Sequence, residues 1–106
     1  MAKLSASQAT QIAKALSDRV RLQTYAEIAR RKEVYVGELN VCNLVSRPTL
    51  SHHLHVLAEA GIVSSQRSSI YIFYRAIPER MAAYGVYLLS LADPNAVVEE
   101  EKREIA

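Results

Sequence analysis

The run "SRPTLSHHLHVLAEAG", Ser46 to Gly61, restricts this chain more than any other stretch. Leu50, Leu54 and Leu57 recur at spacings of four and three, which places them on one stripe of a helix. Ser46 is suited to cap that helix and Pro48 falls in its first turn, where a missing N–H does no harm. Gly61 supplies the C-terminal stop. Directly after it the period changes: "IVSSQR" and "IYIFYR" are β-branched and aromatic runs that read as a hairpin. Ser68 and Ser69 separate the runs and are weaker turn formers than Asn-Gly, so a loop longer than two residues is expected. A helix with a leucine stripe and a hairpin cannot bury each other fully, so other helices must complete the core.

The rest of the chain supplies them. Ser5 and Gln8 form a capping-box pattern ahead of "ASQATQIAKAL". Ser17 and Asp18 can cap "RVRLQTYAEIARRK", whose Val20, Leu22, Tyr25, Ile28 and Ala29 recur at helical spacing. Arg30, Arg31 and Lys32 sit in its last turn, where the helix dipole favours cations. A short third helix is expected over Gly37 to Asn43, and Pro78 opens a last helix, "ERMAAYGVYLLSLAD", stopped by Pro94. The expected class is mainly α with a β-hairpin wing, in the order H-H-H-H-β-β-H. Three glycines and three prolines in 106 residues agree with a helical chain. Residues 1–93 read as one domain and 94–106 as an acidic tail.

Half of the residues are hydrophobic, as a folded domain needs. No apolar run approaches the roughly 18 residues of a membrane span, and the start lacks the apolar segment of a secretory signal. A single cysteine excludes an intrachain disulfide framework, so a cytoplasmic setting is expected. The net charge of +2 hides an asymmetry, since the chain through Ala92 carries eleven Lys and Arg against six Asp and Glu. That balance suits a polyanionic partner.

Cys42, His52, His53 and His55 are the residue types of metal and redox sites. About 100° separates neighbours around a helix, so an inward leucine stripe turns His52, His55 and Glu59 outward, with Thr49 and Val56 beside them. His52, His55 and Glu59 share a face and can chelate Zn²⁺ by spacing, although a structural zinc site normally takes four ligands. A solvated polar face is the plainer alternative. His53 falls at the edge of the apolar stripe, where packing between helices with one ring nitrogen hydrogen-bonded is expected.

The segments "ALSDRVRLQTY", "VGEL", "SRPTLSHHLHVLAEAGIV" and "RSSIYIFYRA" resemble, in order and without gaps, the ArsR/SmtB family of bacterial dimeric repressors. The resemblance spans about Ala15 to Ala76. Its S-x-P-T-x-S-x-H-L signature is carried by Ser46, Pro48, Thr49, Ser51, His53 and Leu54. Arg19 stands where the family usually has proline. The resemblance implies a winged helix-turn-helix homodimer paired through its first and last helices, with double-stranded DNA as partner. It implies base-edge contacts by Thr49 and His52, contacts to bases or phosphates by Arg47 and Ser51, and His55 turned towards the DNA. Arg67, Ser68 and Ser69 would meet phosphates or the minor groove from the wing.

The family's two metal sites do not carry over. The cysteine pair's positions are held by Tyr35 and Gly37, and those on the last helix by Pro78, Arg80, Leu91 and Pro94. No metal, cofactor or membrane is called for, and the residues name no effector. Cys42 reads as a buried structural thiol, with a thiol-redox response as the alternative. Met81, Tyr84, Tyr87, Leu88 and Leu91, joined by Ile12 and Leu16, give an expected dimer face; completing the monomer's core is the other reading of them. The expected function is a sequence-specific repressor on an inverted-repeat operator. The alternative is a protein-interaction or heterodimerising module without its own operator. No nucleophile-base set or glycine-rich phosphate loop points to an enzyme.

Overall fold

The structure, a computed structural model, describes residues 3–93 and 95, apart from the side chain of Cys42. The tail expected over 94–106 therefore lies outside the described residues except for Asn95, and so does Pro94 as a helix stop. Helix α1 spans Ala6–Leu16, opened by a reciprocal capping box in which Ser5 Oγ accepts from Gln8 N and Gln8 Oε1 accepts from Ser5 N. Helix α2 spans Arg19–Arg31, and its N-cap Asp18 accepts the Arg21 N–H at 3.0 Å. It ends one residue earlier than its cationic run suggests, because Lys32 takes a left-handed φ of 69°.

The segment after α2 is not the helix expected over Gly37 to Asn43. Glu33–Tyr35 forms strand β1, followed by two 3-10 turns, Val36–Glu38 and Asn40–Asn43. Alternation decides this: Val34 is buried while Glu33 faces out, a period-two pattern that suits a strand. The Tyr35 ring then folds over Gly37, where a Cβ would stand 2.6 Å from it. Leu39 is extended between the two turns and breaks any continuous helix. The buried Glu27 carboxylate of α2 accepts the Asn40 N–H at 3.0 and 3.1 Å, fastening the second turn to the bundle.

Helix α3 spans Arg47–Glu59, capped by Ser46, and Gly61 leaves it with a φ of 79°. Strands β2 (Val63–Ser68) and β3 (Tyr71–Ala76) form the wing, and β1 joins the far side of β3 in a sheet of order β1-β3-β2. The pairing Ser68↔Tyr71 leaves a loop of two residues, Ser69 and Ile70, shorter than expected. Ser69 accepts a φ of 59°, the requirement of a type II′ turn at a place usually held by glycine. Across the sheet, Tyr35 packs edge-on against Tyr71, with ring centroids 5.2 Å apart, and this cluster steadies the short turn. Helix α4 spans Pro78–Ala92 and packs against α1.

Leu50, Leu54 and Leu57 are fully buried with Ile12, Ile28, Leu39 and Ile62, so the leucine stripe is the centre of the core. No helix among the described residues is long and apolar enough to cross a membrane.

Truncating Leu54→Ala leaves a cavity at that centre and is expected to destabilise the fold by about 2–5 kcal/mol, measured by urea denaturation. Ser69→Gly relieves the left-handed strain and should gain about 0.5–1 kcal/mol, whereas Ser69→Val should lose stability in the same assay.

Candidate nucleic-acid interface

Burying the leucine stripe turns the opposite side of α3 to solvent. Thr49, Ser51, His52, His55 and Glu59 are exposed there, and Arg47 is exposed at the start of the helix. Arg47 stands at the first helical position and forms no hydrogen bond or ion pair among the described residues. Ser46 Oγ donates to Thr49 Oγ1 at 2.9 Å, so the Thr49 side chain is oriented by the cap that starts the helix. Its own hydroxyl hydrogen is left to donate elsewhere. His55 Nε2 lies 3.6 Å from Glu59 Oε1, one turn along the same face. Glu59 thus sits beside a histidine on this face. No three His, Cys, Asp or Glu side chains gather as a metal site requires among the described residues, so His52, His55 and Glu59 do not form a chelating set.

The wing places its three candidates differently. Arg67 and Ser68 are consecutive on β2 and therefore point to opposite faces of the hairpin. Ser69 is in the turn itself, next to Ile70, which is 80 % exposed. The apex of the wing is thus apolar as well as polar, a feature the sequence reading passed over.

His53 is the buried histidine expected between helices, 8 % exposed. Its Nδ1 lies 3.3 Å from Arg21 Nη1, on α2, and its Nε2 lies 3.9 Å from Oδ2 of Asp18, the N-cap of that helix. The Asp18 carboxyl is held below its ordinary value of 3.8, chiefly by the Arg21 backbone N–H it accepts. Partial burial opposes this, and the charge of the Arg21 guanidinium reinforces it, as a protonated His53 would. Arg21 was missed in the sequence because an arginine in an amphipathic helix carries no mark of which residue it will meet.

The candidate dimer residues also separate. Ile12 has no exposed surface and belongs to the protomer core, which corrects its place in the expected interface. Leu16, Met81 and Tyr84 are partly buried against that core. On α4 only Ala83 is buried, while Leu88 and Leu91 are 45 % and 65 % exposed. Val86 and Leu89, not singled out in the sequence, are exposed beside them. The Cys42 side chain lies outside the described residues.

Residues 9–66 match the family described as "Helix-turn-helix domain". The arsenic resistance transcriptional regulator ArsR1 of Pseudomonas putida is 35 % identical over 77 % of this chain, which spans 64 % of that protein's length. An uncharacterized HTH-type transcriptional regulator of Methanocaldococcus jannaschii is 32 % identical, over 70 % of this chain and 83 % of its own. The crystal structure of the transcriptional repressor BigR from Xylella fastidiosa superposes with a TM-score of 0.61 at 34 % identity, covering 79 % of this chain and 87 % of that one. The chain belongs to the ArsR/SmtB-type winged helix-turn-helix regulators. In this ArsR-type chain the Asn40–Asn43 turn leads directly into α3, and β2 and β3 form the wing that follows it. Its relatives are transcription regulators by name.

The pH dependence of stability follows from Asp18. A carboxyl whose folded pKa lies below its unfolded one stabilises the fold above the unfolded value and loses that contribution as pH falls through the folded value. Asp18→Asn keeps a competent N-cap without a charge. It should therefore lose the carboxylate's contribution near pH 7 and flatten the fall in stability below about pH 4, so that the two proteins converge in acid, measured by denaturant titration across pH.

Proposed function

We propose that this protein is a homodimeric repressor that reads an inverted-repeat DNA operator with α3, in the cytoplasm, and acts by occupying DNA and not by catalysis. The observation that carries the reading is the exposed polar face of a helix whose other side is fully buried. A rigidly seated helix offering Arg47, Thr49, Ser51, His52 and His55 suits the edges of bases in a major groove. Arg47 is the natural guanine reader, because its guanidinium can donate to two acceptors at once. The second copy pairs through α4, where Leu88, Leu89 and Leu91 are exposed and nothing in the protomer covers them among the described residues. Leu16, Met81, Tyr84 and Tyr87 flank that patch. Two α3 helices related by a two-fold then meet half-sites about one helical turn apart.

The wing contributes less. Arg67 is the single Lys or Arg between Ile62 and Tyr74, so phosphate contacts from this element are few.

Selection from a randomised duplex pool should return an inverted repeat, and anisotropy titrations on it should weaken with salt, with the shallow slope of few phosphate contacts. Arg47→Ala and His52→Ala should each cost about 1–3 kcal/mol on the selected duplex. Arg67→Ala should lower affinity alike on all sequences and reduce the salt slope by about one. A wild-type protein with no sequence preference at any salt would defeat the reading.

A further inference from the structure

Arg21 is the one side chain that touches the main chain of α1, grows from α2 and reaches α3 among the hydrogen bonds of the described residues. Its Nε donates to Ala15 O at 2.7 Å and its Nη2 to Lys14 O at 3.3 Å, the terminal carbonyls of α1. Its Nη1 lies 3.3 Å from His53 Nδ1. A guanidinium only donates, so Nδ1 must accept, and the imidazole proton of the neutral ring sits on Nε2, the nitrogen on the Asp18 side. Asp18 is itself held by the Arg21 N–H. Nδ1 of His53 is thereby engaged by α2 and Nε2 lies 3.9 Å from the carboxylate of its N-cap, while its neighbour His52 stands exposed on the outward face.

Why this position carries a histidine is a physical question. It lies at the edge of the leucine stripe, where another leucine would bury well and a polar ring costs desolvation unless it is hydrogen-bonded. Apolar contacts hold α3 against the core but are not directional, so they resist lifting better than turning. A hydrogen bond to a planar guanidinium anchored on two carbonyls is directional. Turning α3 by about 10° moves a side chain on its far face by about 1 Å, given the radius of a helix. That is more than the roughly 0.5 Å a well-organised recognition surface tolerates.

We propose that Arg21 and His53 form a joint that sets the rotation of α3 and are positioning residues for base reading, without touching DNA themselves. The proposal rests on the DNA-reading function given above. It adds that the preference between sequences is held partly by a contact between α2 and the buried side of α3.

The test uses the full chain and two probes: the duplex that wild type selects from a random pool, and a scrambled duplex of equal length. In His53→Asn the amide Oδ1 stands where Nδ1 was and can still accept from Arg21. In His53→Gln the amide is carried towards the Nε2 place and the Arg21 contact is lost. His53→Asn should keep the wild-type preference for the selected duplex to within about threefold, and His53→Gln should lose about tenfold of it. Arg21→Met should lose a similar factor, and Arg21→Met with His53→Gln should lose no more than either alone. Binding to the scrambled duplex and its salt dependence should stay within about twofold for all variants. Thermal melts establish that each variant is folded. If the Arg21→Met variant fails to fold, the Asn and Gln pair decides alone. Equal behaviour of the Asn and Gln variants, or an equal loss on both duplexes, overturns the joint and leaves the DNA-reading function standing. A wild type that selects no sequence removes that function and the joint together.

Discussion

The burial of three leucines on one side of α3 is the constraint from which the other features follow. Leu50, Leu54 and Leu57 are each 1 % exposed or less, and each is worth about 1.5–3 kcal/mol removed from water. No rotation of the helix can expose its polar face inward without giving up that burial. The same burial fixes where the wing begins. Gly61 turns the chain in a conformation open to glycine, and Ile62 and Val63 immediately enter the core. The hairpin therefore leaves the body at a place set by the end of α3, so the two elements that could meet one duplex are not independent.

What was readable in the sequence was local. The Ser5–Gln8 box, the Asp18 and Ser46 caps, the leucine stripe and the Gly61 stop each depend on residues within one or two turns, and each is present as read. The elements that differ depend on distant partners. Glu33–Tyr35 is a strand because β3 lies beside it, with Val34 opposite Tyr74, forty residues on in the chain. The two-residue wing turn tolerates a serine at positive φ because strand pairing and the Tyr35–Tyr71 contact hold it. The Arg21–His53 contact joins residues 32 apart, and the spacing of either one predicts nothing about the other.

Ile12 and Leu88 show a different limit. Both are aliphatic residues at helical spacing, and periodicity assigns each to an apolar face without saying what will cover it. Only the packing separates them: Ile12 is sealed inside the protomer, and Leu88 is left at 45 % exposure with Val86, Leu89 and Leu91 beside it. The last helix is therefore more apolar than its own protomer uses, and the composition of the patch suits a second copy of the chain better than solvent.

On the proposed reading, electrostatics explains why geometry matters so much here. Few cations stand where phosphates would lie: Arg47 at the start of α3 and Arg67 in the wing are exposed, and Glu59 sits on the same face as His55. The sequence-independent part of the affinity is correspondingly small. Discrimination must then come from base contacts made twice, once by each protomer, with the second contact made intramolecular by the dimer. A two-fold axis applies any error in the rotation of α3 to both half-sites in opposite senses along the duplex, so the misfit cannot be absorbed by sliding the protein. A regulator with little charge to spare depends on holding its reading helix at one angle. Arg21, anchored on two carbonyls of α1 and bonded to His53, is placed where that angle is decided.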